Sequence, residues 1–258
     1  MEKICRDLND QYRELDTLVS GLSEKKWVAV TPFCGWTIFD QVAHIAFFDQ
    51  RALLAIKHPK TFAESVNATL QLLSSEGEWP QKTNPLLGPD RPEALMDLWR
   101  KTRTTFLNRL RGESPQRRIA WYGPEMSALS FATARIMETW AHTQDVYDAL
   151  RLERVNASSL RHVAHLGVAT FAWSFQIRQL PPPDIKPFVD LVGPSGERWV
   201  WGDPNAEEIV QGSADEFCLV VTQRRIDASE QHHPFIPDTR WNLPKQYVTS
   251  VGNSAKGI

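Results

Sequence analysis

Met137-Glu138-Thr139-Trp140-Ala141-His142 is the stretch on which the reading of this chain turns. Glu138 and His142 are four residues apart, so on a helix they project from one face a single turn apart and can hold one ion between them. The same face carries Ala134, Ala141, Asp145 and Ala149, mostly small residues that let another helix approach. A second stretch far upstream, Val42-Ala43-His44-Ile45-Ala46-Phe47-Phe48, sets a histidine inside an apolar run. A buried imidazole must satisfy its ring nitrogens, and a divalent metal shared with Glu138 and His142 is a partner that does so. Two histidines and one carboxylate leave coordination positions open, as in a catalytic rather than a closed structural site.

Helical spacing of Ile4, Leu8, Tyr12, Leu15 and Val19 predicts a first helix over residues 2–22. Thr37 and Asp40 read as N-cap and N3 acid of a helix running through His44 to about Ile56. Residues 62–76 can form another helix, and Gly77, Pro80, Pro85, Gly88 and Pro89 mark a long irregular excursion after it. Helices are expected again from Pro92 to about Leu110 and from Ser127 to Leu150, with a connector over Gly112 to Pro124 between them. Four principal helices with apolar stripes make a bundle, in which sites are built from side chains on facing helices.

The pattern changes after Leu150. A helix is expected from Ser158 to Arg178, closed by Pro181-Pro182-Pro183. Phe188–Val192 and Arg198–Trp201 then flank Gly193-Pro194-Ser195-Gly196 as a hairpin, and Glu208–Gln211 can add a third strand. Ser213–Arg225 reads as a helix, and the last thirty residues as loop or tail. The fold class is therefore α+β: a helical bundle over residues 1–155, then a smaller α+β domain with an irregular tail over 156–258.

A net charge of −2 and a pI near 6.4 give no basic stripe, so neither nucleic acid nor an anionic membrane has electrostatic support as a partner. No apolar stretch is long enough to span a bilayer and the N-terminus lacks a signal-peptide core, which points to the cytoplasm. Cys5, Cys34 and Cys218 show no C-x-x-C spacing, so neither a disulfide framework nor a cysteine zinc site is indicated. Ten tryptophans point to a bulky core or to a pocket with aromatic walls, for which Trp36, Trp140 and Trp121-Tyr122 are candidates. Asp40, one turn before His44, and Asp145, three residues after His142, are candidates to orient the two imidazoles; each also reads as an ordinary solvated or capping acid.

The string Gly35-Trp36-Thr37-Ile38-Phe39-Asp40-Gln41-Val42-Ala43-His44-Ile45, with Glu138-Thr139-Trp140-Ala141-His142-Thr143-Gln144-Asp145-Val146 downstream, resembles the metal-binding bundle of the DinB and mycothiol-dependent maleylpyruvate isomerase superfamily. In that family a histidine of the second helix joins two ligands spaced i,i+4 on the last bundle helix. This chain is similar to the isomerase branch in having Glu and His at that pair, and most similar to a subgroup described only as metal-binding. The segment Gly212–Arg225 resembles the C-terminal segment that ends in a functional arginine of the isomerase. That role maps onto Arg224, with Arg225 one residue further on.

The resemblance implies a divalent ion, zinc foremost, on His44, Glu138 and His142, and a low-molecular-weight thiol as cofactor. A metal-bound thiol is deprotonated near neutral pH and can add to an electrophilic carbon. Arg224 would hold a carboxylate or enolate oxygen of a small substrate, since guanidinium pairs with carboxylate in a bidentate fork. Its plain alternative is a surface arginine at a helix C-terminus. Two other functions stay open: a thiol-independent metal enzyme acting as hydrolase, lyase, cyclase or isomerase, and a noncatalytic ligand-binding module.

Overall fold

The computed structural model describes residues 1–75, 77–176, 179–184 and 186–225. The first compact unit spans Met1–Glu153, and the second begins at Arg154. In the first unit the order is α1 (Glu2–Val19), α2 (Glu24–Trp27), α3 (Ile38–Lys57), α4 (Pro59–Ser74), α5 (Trp79–Leu87), α6 (Pro92–Arg111), β1 (Arg118–Ile119), β2 (Met126–Ser127) and α7 (Ala128–Leu150). Helices α1, α3, α6 and α7 form the bundle: α3 packs on α6 and α7, and α1 packs on the same two from the other side.

Local sequence explains the ends of these helices. Thr37 and Asp40 form a capping box at the start of α3, where Asp40 N–H donates to Thr37 Oγ1 at 3.2 Å and Thr37 N–H donates to Asp40 Oδ2 at 2.9 Å. Ser127 caps α7 by accepting from Ser130 N–H at 3.0 Å. From this start α3 runs almost wholly buried, with Val42, Ala43, Ile45 and Ala46 at 0% exposure. A helix apolar on nearly every side must be covered on nearly every side, and α4 and α5 join α6 and α7 around it.

Helix α5 corrects the expectation of an irregular excursion over residues 77–89. Pro80 falls in the first turn, where no N–H donor is needed, and its preset φ suits the helix. Pro85 gives up a single bond near the end of a short helix, and Gly88 closes it at φ 103°. Trp79, Thr83 and Leu87, four residues apart, supply its buried stripe. Punctuating residues were thus the substance of a helix.

In the second unit a 3₁₀ turn (Ser158–Leu160) leads into α8 (Arg161–Ala169) and α9 (Phe171–Gln176), followed by β3 (Phe188–Val192), β4 (Arg198–Trp201), β5 (Ile209–Ser213) and α10 (Ala214–Val221). The continuous helix expected over 158–178 is broken at Thr170, whose φ of −90° and ψ of 6° leave the helical region. Strand β3 is central, antiparallel to β4 with Asp190 opposite Val200, and parallel to β5 with Asp190 opposite Gln211. Its inward residues Val189 and Leu191 are at 0% exposure, and α10 lies against both β3 and β5. Gly167 of α8 is required by close packing on α10: a Cβ there would come within 2.7 Å of Val221 Cγ2.

Helix α10 stops at Val221, short of the expected Arg225. Gln223 takes φ 64°, its N–H donates to Val220 O at 3.0 Å, and Arg224 N–H donates back to Leu219 O at 2.7 Å. This is a Schellman closure, with a glutamine where glycine is usual. The tail expected over the last thirty residues begins beyond Arg225 and lies outside the described residues.

Candidate metal centre

Helix α3 contributes His44 and α7 contributes Glu138 and His142; their ligand atoms all lie within 4.8 Å of one another. His44 Nε2 is 3.7 Å and His142 Nε2 is 3.5 Å from Glu138 Oε2. The imidazoles are 5% and 4% exposed, and the Glu138 side chain is 20% exposed, so the carboxylate marks the side from which solvent reaches the cluster. Two imidazoles and a carboxylate, nearly dry and converging on one point, suit a borderline-soft divalent ion with positions left for other ligands.

Charge favours the same use. Burial pushes the Glu138 carboxyl up, but hydrogen bonding and charge from His142 and His44 override this and hold it well below the usual carboxylate range. His142 Nδ1 lies 2.5 Å from Gln41 Oε1, and Gln41 Nε2 donates to Thr31 Oγ1 at 2.7 Å. The amide is therefore oriented with its oxygen toward the ring, so Nδ1 is the nitrogen that donates to it, and Nε2, which bonds Glu138 while protonated, is the nitrogen that would give its lone pair to a metal. Asp145 Oδ2 stands 3.6 Å from the same Nδ1 and reinforces its donor role.

Aromatic rings wall the cluster. Trp36 stacks on His142 at 6.0 Å with an interplanar angle of 7°, and Trp79 stacks on His44 at 5.8 Å and 21°. Phe48, one turn along α3, meets the His44 ring at 4.7 Å, and Phe33 meets His142 edge-on at 5.7 Å. A surface cleft beside Trp36 is lined also by Cys34, Asp40, Gln81 and Asn84. None of the three cysteines forms a disulfide.

Other candidates from the sequence fall elsewhere. Asp40 does not orient His44: its Oδ2 is engaged by Thr37 and its Oδ1 accepts from Asn84 Nδ2 at 2.8 Å, because the N3 position of a capping box points the carboxylate back at the helix start. Trp140 is a core residue at 1% exposure, so it offers a ligand no surface. Arg224 Nη1 donates to Thr222 O at 2.8 Å and Arg225 Nη1 donates to Arg224 O at 3.0 Å, both in the turn after α10. Gln41 and Trp79 are the residues in contact with the cluster that sequence reasoning missed. Gln41 had a signal, being fully polar in an apolar run and one turn before His44 on the same face; Trp79 had none, since α5 itself was unexpected.

Comparison with known proteins bears on the family and the fold. Residues 8–147 match the family described as mycothiol maleylpyruvate isomerase N-terminal domain. Two uncharacterized proteins of Mycobacterium tuberculosis, MT0041 of strain CDC 1551 / Oshkosh and Rv0036c of strain ATCC 25618 / H37Rv, are each 41% identical to this chain over 219 residues, covering 85% of it and 84% of the relative. The crystal structure of the mycothiol-dependent maleylpyruvate isomerase superposes with a TM-score of 0.57 at 18% identity, covering 92% of this chain and 95% of that one. A histidine-to-alanine mutant of that enzyme gives 0.56 at 17% identity with the same coverage. Those two likenesses establish a shared fold. With more than half its length matched, the chain belongs to the mycothiol maleylpyruvate isomerase N-terminal domain family.

Proposed function

We propose that this protein is a divalent-metal-dependent enzyme of the thiol S-transferase or isomerase type, acting on a small electrophilic substrate that bears a carboxylate. The observation that supports it is the convergence of His44, Glu138 and His142 on one point with a solvent-facing side. Zinc is the ion the donor set favours, and when bound it supplies Lewis acidity that lowers the pKa of a thiol or polarises an oxygen. A low-molecular-weight thiol is the proposed cofactor, on the strength of the family.

The residues of the chain divide the remaining work. Glu138 offsets the ionic charge, and Gln41 keeps the His142 lone pair aimed at it. Trp36 and Trp79 cover the imidazoles and exclude water, which strengthens every charge interaction inside. Arg224 is assigned the preference for an anionic substrate, because a guanidinium offers a carboxylate a bidentate fork. No helix among the described residues is long and apolar enough to cross a membrane, and a cytoplasmic place of action completes the proposal.

The test begins with metal content. Elemental analysis should find one divalent ion per chain, lost in His44→Ala and in His142→Ala; full occupancy in both variants would end the proposal. Maleylpyruvate offered with and without mycothiol then reads the thiol requirement, and turnover that ignores the thiol would move the protein to the thiol-independent class. With an active substrate in hand, Arg224→Lys should lose about thirtyfold or more in kcat/KM at unchanged metal content. A collapse in Arg225→Lys instead shifts the role by one residue.

A further inference from the structure

Helix α3 carries more than a metal ligand on its inner face. His44, Phe48 and Arg51 follow at intervals of four and three residues, so they line up along one stripe. Arg51 stands about 10 Å along the helix axis from His44. Its guanidinium is half-buried and held by neutral oxygens: Nε donates to Tyr122 Oη at 2.7 Å and Nη2 to Ser65 Oγ at 2.5 Å. Among the described residues no carboxylate lies within ion-pair distance of it, although the other two half-buried arginines of the bundle, Arg103 and Arg117, each have one. Burying a cation without a counter-charge is costly, and an anion that arrives with a ligand would remove that cost.

Aromatic rings line the stretch between the two ends. Phe48 touches His44 at one end and lies 6.2 Å from Trp121 and 6.0 Å from Tyr122 at the other. Phe62 stacks on Trp121 at 5.5 Å and 5°, and the Arg51 guanidinium sits 5.2 Å from the Phe62 ring. Tyr122 and Ser65 use the two bonded donors, which leaves the other N–H groups of the guanidinium for a ligand. Two anchored donors also fix the plane of the fork, so little rotamer freedom is lost when an anion binds.

We infer that Arg51 is an anion anchor: the inner face of α3 binds a carboxylate-bearing ligand with an apolar body, its carboxylate on Arg51 and its other end toward His44. The assignment rests on the proposed metal centre only for the direction in which the ligand lies. It makes Arg51 a specificity-determining residue in the bundle itself, separate from the role given to Arg224. Ligands of about six carbons between the charged and reacting ends match the spacing along the helix.

The probe is hexanoate against hexanamide, its uncharged counterpart, titrated calorimetrically into the metal-loaded protein. The wild type should bind hexanoate about ten- to hundredfold more tightly, the worth of a charge-assisted hydrogen-bonded pair. Arg51→Gln should erase that preference, and His44→Ala, which removes the metal, should keep it. Equal binding of both compounds by the wild type overturns the inference. So does a preference that survives Arg51→Gln and disappears in His44→Ala, since the carboxylate would then sit on the metal. Should Arg51→Gln fold poorly, nitrogen-15 spectra decide: the arginine Nε resonance missing from Arg51→Lys should move with hexanoate and stay still with hexanamide, and a resonance unmoved by hexanoate counts against the anchor. None of these readings involves thiol or turnover, so a failure of the proposed reaction leaves them intact.

Discussion

Gln41 Oε1 lies 2.5 Å from His142 Nδ1 across the interface of α3 and α7, and Thr31 holds the other end of the same amide. The relationship decides which imidazole nitrogen is free for a metal, and it does so from a residue that never touches the ion. Groups in this position tune ligand basicity and ring orientation. Gln41→Ala should weaken zinc binding by about ten- to hundredfold while the fold persists. Competition against a chelator of known affinity measures it, and an unchanged affinity would show that helix packing alone orients His142.

Behind the metal cluster the bundle contains a second buried charge system. Asp49 Oδ1 accepts from Tyr12 Oη at 2.7 Å and from Arg135 Nε at 3.1 Å and Nη2 at 3.0 Å, while Oδ2 accepts from Trp99 Nε1 at 3.0 Å. Four helices meet at this carboxylate, α1, α3, α6 and α7, and both charges are almost wholly dry. Burial pushes the Tyr12 hydroxyl up and the adjacent Asp49 charge adds to it, so the phenol stays a donor. Asp49→Ala leaves Arg135 buried and unpaired, and should cost about 3–5 kcal/mol in urea unfolding. Asp49→Asn, which keeps the shape and part of the bonding, should cost less; a loss under about 1 kcal/mol in Asp49→Ala would mean that water reaches Arg135.

These two networks show what the sequence could and could not convey. The i,i+4 pair Glu138 and His142 and the capping signal at Thr37 and Asp40 are local, governed by helix spacing and by donors a residue or two away, and both were legible. The hairpin around Gly193-Pro194-Ser195-Gly196 was legible for the same reason. Helix α5 was not, because Pro80 and Pro85 read as breakers until the apolar stripe of Trp79, Thr83 and Leu87 finds α3 to pack on. Trp140 read as a pocket wall and is core, since a tryptophan next to a ligand position looks alike in both settings. Asp40 offered two readings at one position, and the nearer donors of Thr37 prevailed. Gln41 and Arg51 depend on partners far off in the chain, residues 142 and 122; helix spacing puts Gln41 on the face of His44 but does not announce either partner.

Asp16 offers a test of electrostatics away from the site. Its carboxylate accepts from Arg100 Nε at 3.1 Å and Nη2 at 2.7 Å, pairs with Arg103 and accepts from Ser20 Oγ at 2.7 Å, tying α1 to α6. Burial raises its pKa, but the Arg100 and Ser20 hydrogen bonds and the two guanidinium charges prevail and lower it from 3.8 to about 2. A carboxyl depressed on folding contributes stability that is present above its unfolded pKa and lost as pH falls through the folded one. The contribution should therefore be complete above about pH 5 and fade between about pH 4 and 2. Its size is about 1–2 kcal/mol once discounted for solvent around Arg100, whose side chain is 43% exposed. Asp16→Asn should be less stable than the wild type by that amount near pH 6, with the gap closing as the solution is acidified. Urea midpoints of both proteins, taken across this range, measure the gap. A difference that holds constant down to about pH 2 would assign the loss to packing between α1 and α6 rather than to charge.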